Sequence, residues 1–365
     1  MRVDATLIST AHPADTFLLE QFLDDGRIRA EDVVCIIGKT EGNGGRNDFT
    51  RDLAMRAFEE VFSKRFGIPR AKVGERVIFS LSGGTEGVVS PHIVVFTRRD
   101  DDDAAPLAHT KRLALASGFT RDFGPEEIGR MPQIEETARV IRELVQSLGA
   151  RRQDVHLVQM KGAIPSATFD QTQAADAAGR PLRNEMVHSR AASALGAALA
   201  LGEIDGAQLS DDSVTRDWTL YSGVASCSAK PGLPRTEVLL FANVAGASGD
   251  LVIDHTTLDD MLDVRSIHAL LARLGLPVDV QLTDEQRARL VGVFAKSEAD
   301  PRGTIRGRRH TMLTDDDISD TRYSRCVLSS VLASVLGETA VYVSTRAEHH
   351  GPLGGGTLAI IARAS

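Results

Sequence analysis

Aromatic residues are scarce in this chain: Phe, Tyr and Trp make up 5% of it, with a single Trp. That argues against the stacking platforms on which single-stranded nucleic acids are bound. Cysteine is scarcer still. Cys35, Cys227 and Cys326 are odd in number and far apart, with no CxxC spacing, which excludes a complete disulfide framework and a zinc ribbon and leaves reduced, mostly buried thiols. Long apolar runs are also missing. Uncharged apolar stretches such as residues 191–202 and 326–337 reach only 12 residues each, short of the ~20 that a spanning helix needs. Nor is there a basic surplus: Lys and Arg number 42 against 50 Asp and Glu, a net charge of −8, so neither a nucleic acid nor an anionic membrane is expected as partner. Asp4 falls where a secretory signal would carry an unbroken apolar run, and a cytoplasmic location is expected.

What remains is an ordinary globular composition, 42% hydrophobic and 25% charged, rich in glycine at 32 residues. At about 150 residues per domain, 365 residues make two to three domains. An internal repeat decides between them. Three β-branched, apolar runs, 33–39, 155–161 and 291–296, each end in a lysine: Lys39, Lys161 and Lys296. Each reads as a buried strand. Downstream come Thr50-Arg51, Ser189-Arg190 and Ser324-Arg325, whose hydroxyl residues suit N-caps, opening helices over 52–66, 191–201 and 326–336. Those helices stop at Gly67, Gly202 and Gly337, the residue type favoured just past a helix end.

After each helix a strand leads into a serine turn and a second strand: 77–81, Ser82-Gly83-Gly84-Thr85-Glu86, 92–96; then 218–227, Ser228-Ala229-Lys230-Pro231-Gly232, 237–243; then 340–343, Ser344-Thr345-Arg346-Ala347-Glu348, 357–362. The sequence thus predicts an α+β protein of three pseudo-threefold-related β-α-β-β repeat units, at 1–103, 112–249 and 254–365, around a central barrel, with connecting helices over 125–148 and 257–274. The recurring Lys, Arg and Ser would converge on the axis.

Serine is a poor nucleophile until a base takes its proton. The ten histidines do not recur with the units and no G-x-S-x-G elbow is present. Lysine does recur. With an unperturbed pKa of about 10.4 it must be desolvated or crowded by cations to act as a base near neutrality, and three arginines beside three lysines supply crowding. The same cluster, with backbone N–H groups in glycine-rich turns, suits a small planar ligand bearing several carbonyl oxygens.

Gly38-Lys39-Thr40-Glu41-Gly42-Asn43-Gly44-Gly45-Arg46-Asn47-Asp48-Phe49-Thr50-Arg51, Ser82-Gly83-Gly84-Thr85-Glu86-Gly87, Gly307-Arg308-Arg309-His310-Thr311-Met312 and Glu348-His349-His350-Gly351-Pro352-Leu353-Gly354-Gly355-Gly356 closely resemble the cyanuric acid hydrolase/barbiturase family. The resemblance runs over essentially the whole chain. It implies the three-unit "Toblerone" fold, a homotetramer, and hydrolytic opening of a cyclic amide by a Ser-Lys dyad, which maps onto Lys161 as base and Ser228 as nucleophile. Lys39 with Ser82, and Lys296 with Ser344, would hold the other carbonyls, and Arg51, Arg190 and Arg325 would contact substrate. So would the backbone of Ser82-Gly83, Ser228-Ala229 and Ser344-Thr345. A structural Mg²⁺ or Ca²⁺ is implied on the carboxylate of Glu298 and the backbone oxygens of Ala347, His350, Gly351, Pro352 and Gly355, ligands of the hard type these ions take.

The sequence departs from the family pattern at Lys230-Pro231, Thr345-Arg346, Gly162 and His350. The last is expected to matter only through its backbone oxygen. The leading expectation is opening of cyanuric acid to carboxybiuret, which loses CO₂ to give biuret. Opening of barbituric acid to ureidomalonate is the alternative within the fold, and a non-catalytic binder of oxo-heterocycles, with Lys230 spoiling the nucleophile's geometry, is the alternative outside it. The basic segment 302–310 reads as a loop of solvated charge or as one braced by Asp315, Asp316 and Asp317. His349 and His350, adjacent and divergent, do not suit zinc, and strand alternation turns Cys227 away from the Ser228 side.

Overall fold

The computed structural model describes residues 1–100, 110–309 and 318–364. Most of the expected acidic boundary (101–106), His310 and the Asp315–Asp317 brace lie outside them. The three lysine runs are strands, buried on both faces, which is why they read as continuous apolar stretches rather than alternating ones. β1 (Arg2–Ser9), β2 (Val33–Thr40), β3 (Ile78–Gly83) and β4 (His92–Arg99) form a first sheet in the order β1-β4-β2-β3. β5 (Lys111–Phe119), β6 (Val155–Ile164), β7 (Ala225–Pro231) and β8 (Glu237–Ala245) form a second, β5-β8-β6-β7. The third sheet starts at Leu251, ahead of the boundary expected at 254: β9 (Leu251–Leu258) and β10 (Leu290–Ser297) combine with β13 (Tyr342–Thr345) and β14 (Gly356–Arg363), in the order β13-β10-β14-β9. β11 (Thr304–Ile305) and β12 (Arg308–Arg309) make a separate hairpin.

Each sheet therefore has one strand more than the four-element reading allowed. The added β1, β5 and β9 are edge strands carrying polar residues such as Asp4, Lys111 and Asp254, so they lack the apolar run that marks their neighbours. The other three strands follow the expected plan. The lysine strand pairs in parallel with the serine strand across the intervening helix, and the register sets Lys39 beside Ser82, Lys161 beside Ser228 and Lys296 beside Ser344.

The crossing helices, Thr50–Phe66, Met186–Leu201 and Asp320–Leu336, end on Gly67, Gly202 and Gly337 with φ of 63°, 71° and 66°, a left-handed conformation that costs glycine nothing. Their starts differ from expectation. Ser189 and Ser324 lie inside their helices, where their hydroxyls donate to the carbonyls of Ala163 and Thr321, and Ser319 caps the third helix instead. Thr50 is the first helical residue, and Asp48 accepts both its N–H and its hydroxyl at 3.0 and 2.6 Å.

Three other elements are shorter than expected. Residues 218–224 are not strand; they run as a connection in which Trp218 stacks on His349 and Ser222 exchanges backbone bonds with His349 and Gly351. The 257–274 segment ends β9 before a helix, Val264–Arg273, capped by Asp263. Pro125–Glu127 is a separate short turn ahead of the helix Met131–Ser147.

Each sheet is covered on its outer face by its helices. The inner faces share one core in which Phe96, Phe241 and Phe294, one from each sheet, pack with ring centroids 5.0 and 6.2 Å apart. Among the described residues no ladder joins one sheet to another. The three units thus surround a common core without closing into a barrel, because each serine strand is a sheet edge.

Candidate active site

Edge strands leave half of their peptide groups without a ladder partner, and the lysines use those groups. Lys39 Nζ donates to Ser82 Oγ at 3.3 Å and to Val343 O at 2.9 Å. Lys296 Nζ donates to Ser344 Oγ at 3.3 Å and to Cys227 O at 2.9 Å. Lys161 Nζ lies 2.7 Å from Ser228 Oγ and also donates to Leu81 O. Val343, Leu81 and Cys227 each precede the serine of their own unit. Every lysine therefore touches its own serine and reaches into the next unit, which closes a ring of three around the axis.

All three lysines are buried, and burial is the main reason their ammonium forms are disfavoured: Lys161 and Lys296 fall to about 7, and Lys39 falls well below its ordinary value. Neighbouring arginines add to this. Arg51 and then Lys230 act on Lys161, Arg190 on Lys296 and Arg325 on Lys39. Desolvation thus outweighs the cation crowding anticipated from composition.

The arginines obey the threefold rule in two units and break it in the third. Arg190 makes a two-point pair with Glu348 at 2.7 and 2.8 Å, both side chains buried. Arg325 pairs with Glu86 at 2.5 Å and donates to Gly83 O. It lies so close to Gly84, where φ is +100°, that a Cβ there would fall 2.2 Å from the guanidinium carbon; only glycine fits. Glu86 and Glu348 each stand four residues after their serine. In the middle unit that position is Gly232. Arg51 has no acid of this kind; it donates to Gly45 O at 2.6 Å and lies 3.6 Å from Asp48, which also caps its helix. The arginine that acts most on Lys161 is therefore the one without a glutamate partner.

Ser82, Gly83, Ser228, Ser344, Thr345 and the three arginines line one cavity of about 410 Å³. Ala229 and the three lysines are buried and do not line it; each lysine reaches it through the serine it contacts. Arg46, Glu185, Met186, Val187 and Arg346 also line it and were not anticipated. Glu86, Glu348 and Asp48 were missed as well, although a Glu four residues after two of the three serines was visible in the repeat.

Lys230 leaves the nucleophile undisturbed. Its ammonium turns to the back of the site, 3.7 Å from Asp52 and 3.1 Å from Met55 Sδ. Cys227 is buried with its thiol held up by burial, on the side away from Ser228 Oγ. His350 departs from expectation: its side chain matters. The buried ring accepts the Cys227 N–H at 2.9 Å and bonds the Glu348 carbonyl at 2.6 Å, bracing the strand one residue before Ser228. His349 is likewise tied to Thr215 and Leu220. In the basic segment, Arg302 and Arg306 pair with Asp300 and Asp260.

Glu298 follows β10 directly. Its carboxyl is raised to about 7, chiefly by burial and next by Glu348. Ala347 O and Pro352 O each accept one backbone bond, from His350 and Gly355, so a second lone pair remains on each. A costly carboxylate beside a turn of carbonyl oxygens is a donor set that suits a hard cation.

No helix among the described residues is long and apolar enough to cross a membrane. The family model described as amidohydrolase ring-opening protein matches residues 5–363. A cyanuric acid amidohydrolase of Enterobacter cloacae is 45% identical over the full length of both chains. A solved cyanuric acid hydrolase superposes with a TM-score of 0.91 at 43% identity, covering 100% of this chain and 99% of that one. Another, from A. caulinodans, gives 0.86 at 37% identity with the same coverage. With that match across nearly every residue, on the three-unit architecture and converging Lys-Ser pairs described above, the chain belongs to the amidohydrolase ring-opening family of hydrolases that act on cyclic amides.

Proposed function

We propose that this protein is a cyanuric acid amidohydrolase and that Lys161 and Ser228 are its reacting pair. The observation that carries the assignment of the pair is the 2.7 Å Lys161–Ser228 contact in the one unit that has Gly232 where the others carry an arginine-pairing glutamate. The choice of substrate rests on the relatives and on a cavity of three like faces, each offering a hydroxyl and an arginine to a ring carbonyl.

Neutral Lys161 keeps two N–H groups, one of them on Leu81 O, and turns its lone pair to the Ser228 hydroxyl. It takes the hydroxyl proton as Oγ attacks a ring carbonyl carbon. The oxyanion is met by backbone N–H groups of the serine edge and by Arg51. The ring C–N bond then breaks, the leaving nitrogen takes the proton back from Lys161, and an acyl-Ser228 remains. Water, deprotonated by the same amine, releases carboxybiuret, which loses CO₂ to give biuret. Lys39 with Ser82, Lys296 with Ser344, and Arg190 and Arg325 hold and polarise the other two carbonyls.

The base role sets a pH dependence. Below about 7 Lys161 is protonated and has no lone pair to offer, so kcat/KM rises with pH through an apparent pKa near 7 and then levels. Lys230→Met removes a cation that lowers Lys161, and its rising limb moves to higher pH; a profile identical to wild type contradicts the electrostatic role. Turnover of cyanuric and barbituric acids, followed by loss of their ultraviolet absorption, tests the substrate: faster loss of cyanuric acid is expected, and faster loss of barbituric acid overturns that choice.

The remaining features follow the same reading. Glu298 and the oxygens of Ala347, His350, Gly351, Pro352 and Gly355 would hold a structural Mg²⁺ or Ca²⁺. That ion would supply charge to the loop carrying Glu348 and take no part in bond making. The working form would be a homotetramer, covering exposed apolar residues such as Phe49 and Phe169. Three cysteines without a disulfide fit a cytoplasmic location.

A further inference from the structure

His156, Asp254 and His255 meet where the second and third sheets touch. Each offers a ligand atom, and these atoms all lie within 4.8 Å of one another. His156 Nδ1 is 2.9 Å from His255 Nδ1 and 3.5 Å from Asp254 Oδ1. Asp254 is held from behind: Arg273 donates to Oδ2 at 2.7 Å, and the His255 N–H donates to Oδ1 at 2.7 Å. Two bonds of ~2.1 Å at a tetrahedral centre place ligand atoms about 3.4 Å apart, and the observed spacings bracket that value. His156 and Asp254 side chains are 16% and 19% exposed, so water can reach the cluster and complete a coordination shell.

The internal repeat serves as a control. His156 occupies the bulge of β6 between Val155 and Leu157, and β2 and β10 carry the same irregularity at the same distance before their lysines. The equivalent residues there are Val34 and Val291, both in the central apolar core. The strand register likewise places Thr6 and Ala116 at the position of Asp254, and Leu7 and Ser117 at that of His255. The fold builds this position without any ionisable group in its other two copies. A bulge re-aims its extra side chain, and only here is that side chain an imidazole facing another imidazole and a carboxylate.

We propose that His156, Asp254 and His255 form a binding site for a single first-row divalent ion of the Zn²⁺ or Co²⁺ class, clipping the second sheet to the third. Two imidazoles and one carboxylate are the donor set these ions favour, whereas Mg²⁺ and Ca²⁺ prefer oxygen alone. Binding replaces the hydrogen bond between the rings: the shared proton leaves its Nδ1, the ring keeps or regains one on Nε2, and both Nδ1 lone pairs turn to the metal. Arg273 then orients the carboxylate from outside. The site is separate from the active cavity. His156 is five residues before Lys161 on the same strand, roughly 17 Å at ~3.3 Å per residue.

The test uses the full chain, stripped with chelator, returned to excess Mg²⁺ to fill any oxygen-only site, and titrated with Co²⁺ by visible absorption and with Zn²⁺ by calorimetry. One ion per chain is expected, with the intense visible bands of nitrogen-ligated, low-coordinate Co²⁺ and a rise in Tm. His156→Val carries the residue both sister strands already use, so the fold accommodates it. It should weaken binding by more than about 100-fold, beyond the 10–100-fold of losing an outer partner, while turnover of cyanuric acid stays at the wild-type level. Asp254→Asn should weaken binding as well. A wild-type chain that takes up no Co²⁺ or Zn²⁺ under these conditions, or one whose binding is unchanged in His156→Val, overturns the proposal and leaves the cluster as a hydrogen-bonded pair of rings beside an Asp254–Arg273 ion pair.

Discussion

Ser228→Ala and Lys161→Met each lower kcat by at least about 10⁴-fold, the scale on which loss of a nucleophile or its base is felt, while the circular dichroism spectrum stays that of wild type. Ser228 Oγ and Lys161 Nζ are each other's partner at 2.7 Å, so removing either ends acyl transfer, and the double variant is no worse than the single ones. Lys161→Arg does not restore activity, because a guanidinium stays charged at any working pH and cannot accept the serine proton. Lys161→Met also keeps or gains thermal stability, since it replaces a buried amine by an apolar chain of similar length. Substantial turnover in either alanine or methionine variant would remove the dyad from the mechanism.

Glu348→Ala has the largest expected effect on stability. Arg190 and Glu348 are both buried and doubly bonded, and removing one partner leaves an uncompensated charge inside the protein, a loss of about 3–5 kcal/mol. Glu86 is partly open to solvent beside Arg325, so Glu86→Ala should cost visibly less. Chemical denaturation of both variants measures the difference. Joint replacement, Arg190→Met with Glu348→Met, should recover much of the loss, because it removes the stranded charge together with its partner. Equal losses for Glu86→Ala and Glu348→Ala would mean that burial does not govern these pairs.

The lysine and serine strands were legible in the sequence because parallel strands buried on both faces leave unbroken apolar runs, and a shared register keeps each Lys-Ser pair together in all three copies. The glycines closing each helix were legible for a local reason, the left-handed backbone. Features decided by contacts between units were not. No local signal says that Lys39 donates to Val343 O or that His350 braces Cys227 across more than a hundred residues. The edge strands β1, β5 and β9 escaped notice because polar residues interrupt them, and the helix starts were misplaced because Ser189 bonds to Ala163 O on β6 and Ser324 bonds back to Thr321 O within its helix, so neither caps one. The acid missing from the middle unit lay in plain view as Gly232. Its meaning depends on knowing that Glu86 and Glu348 pair with arginines from a different unit.

On that asymmetry rests the proposal that Ser228 is the nucleophile among three serines of nearly identical setting, and one measurement addresses it directly. Wild-type enzyme mixed with cyanuric acid and quenched in acid within a turnover is digested, and the acylated peptide is identified by mass. The acyl group is expected on the peptide containing Ser228, with Ser82 and Ser344 unmodified; acylation at Ser82 or Ser344 would contradict the choice of the middle pair.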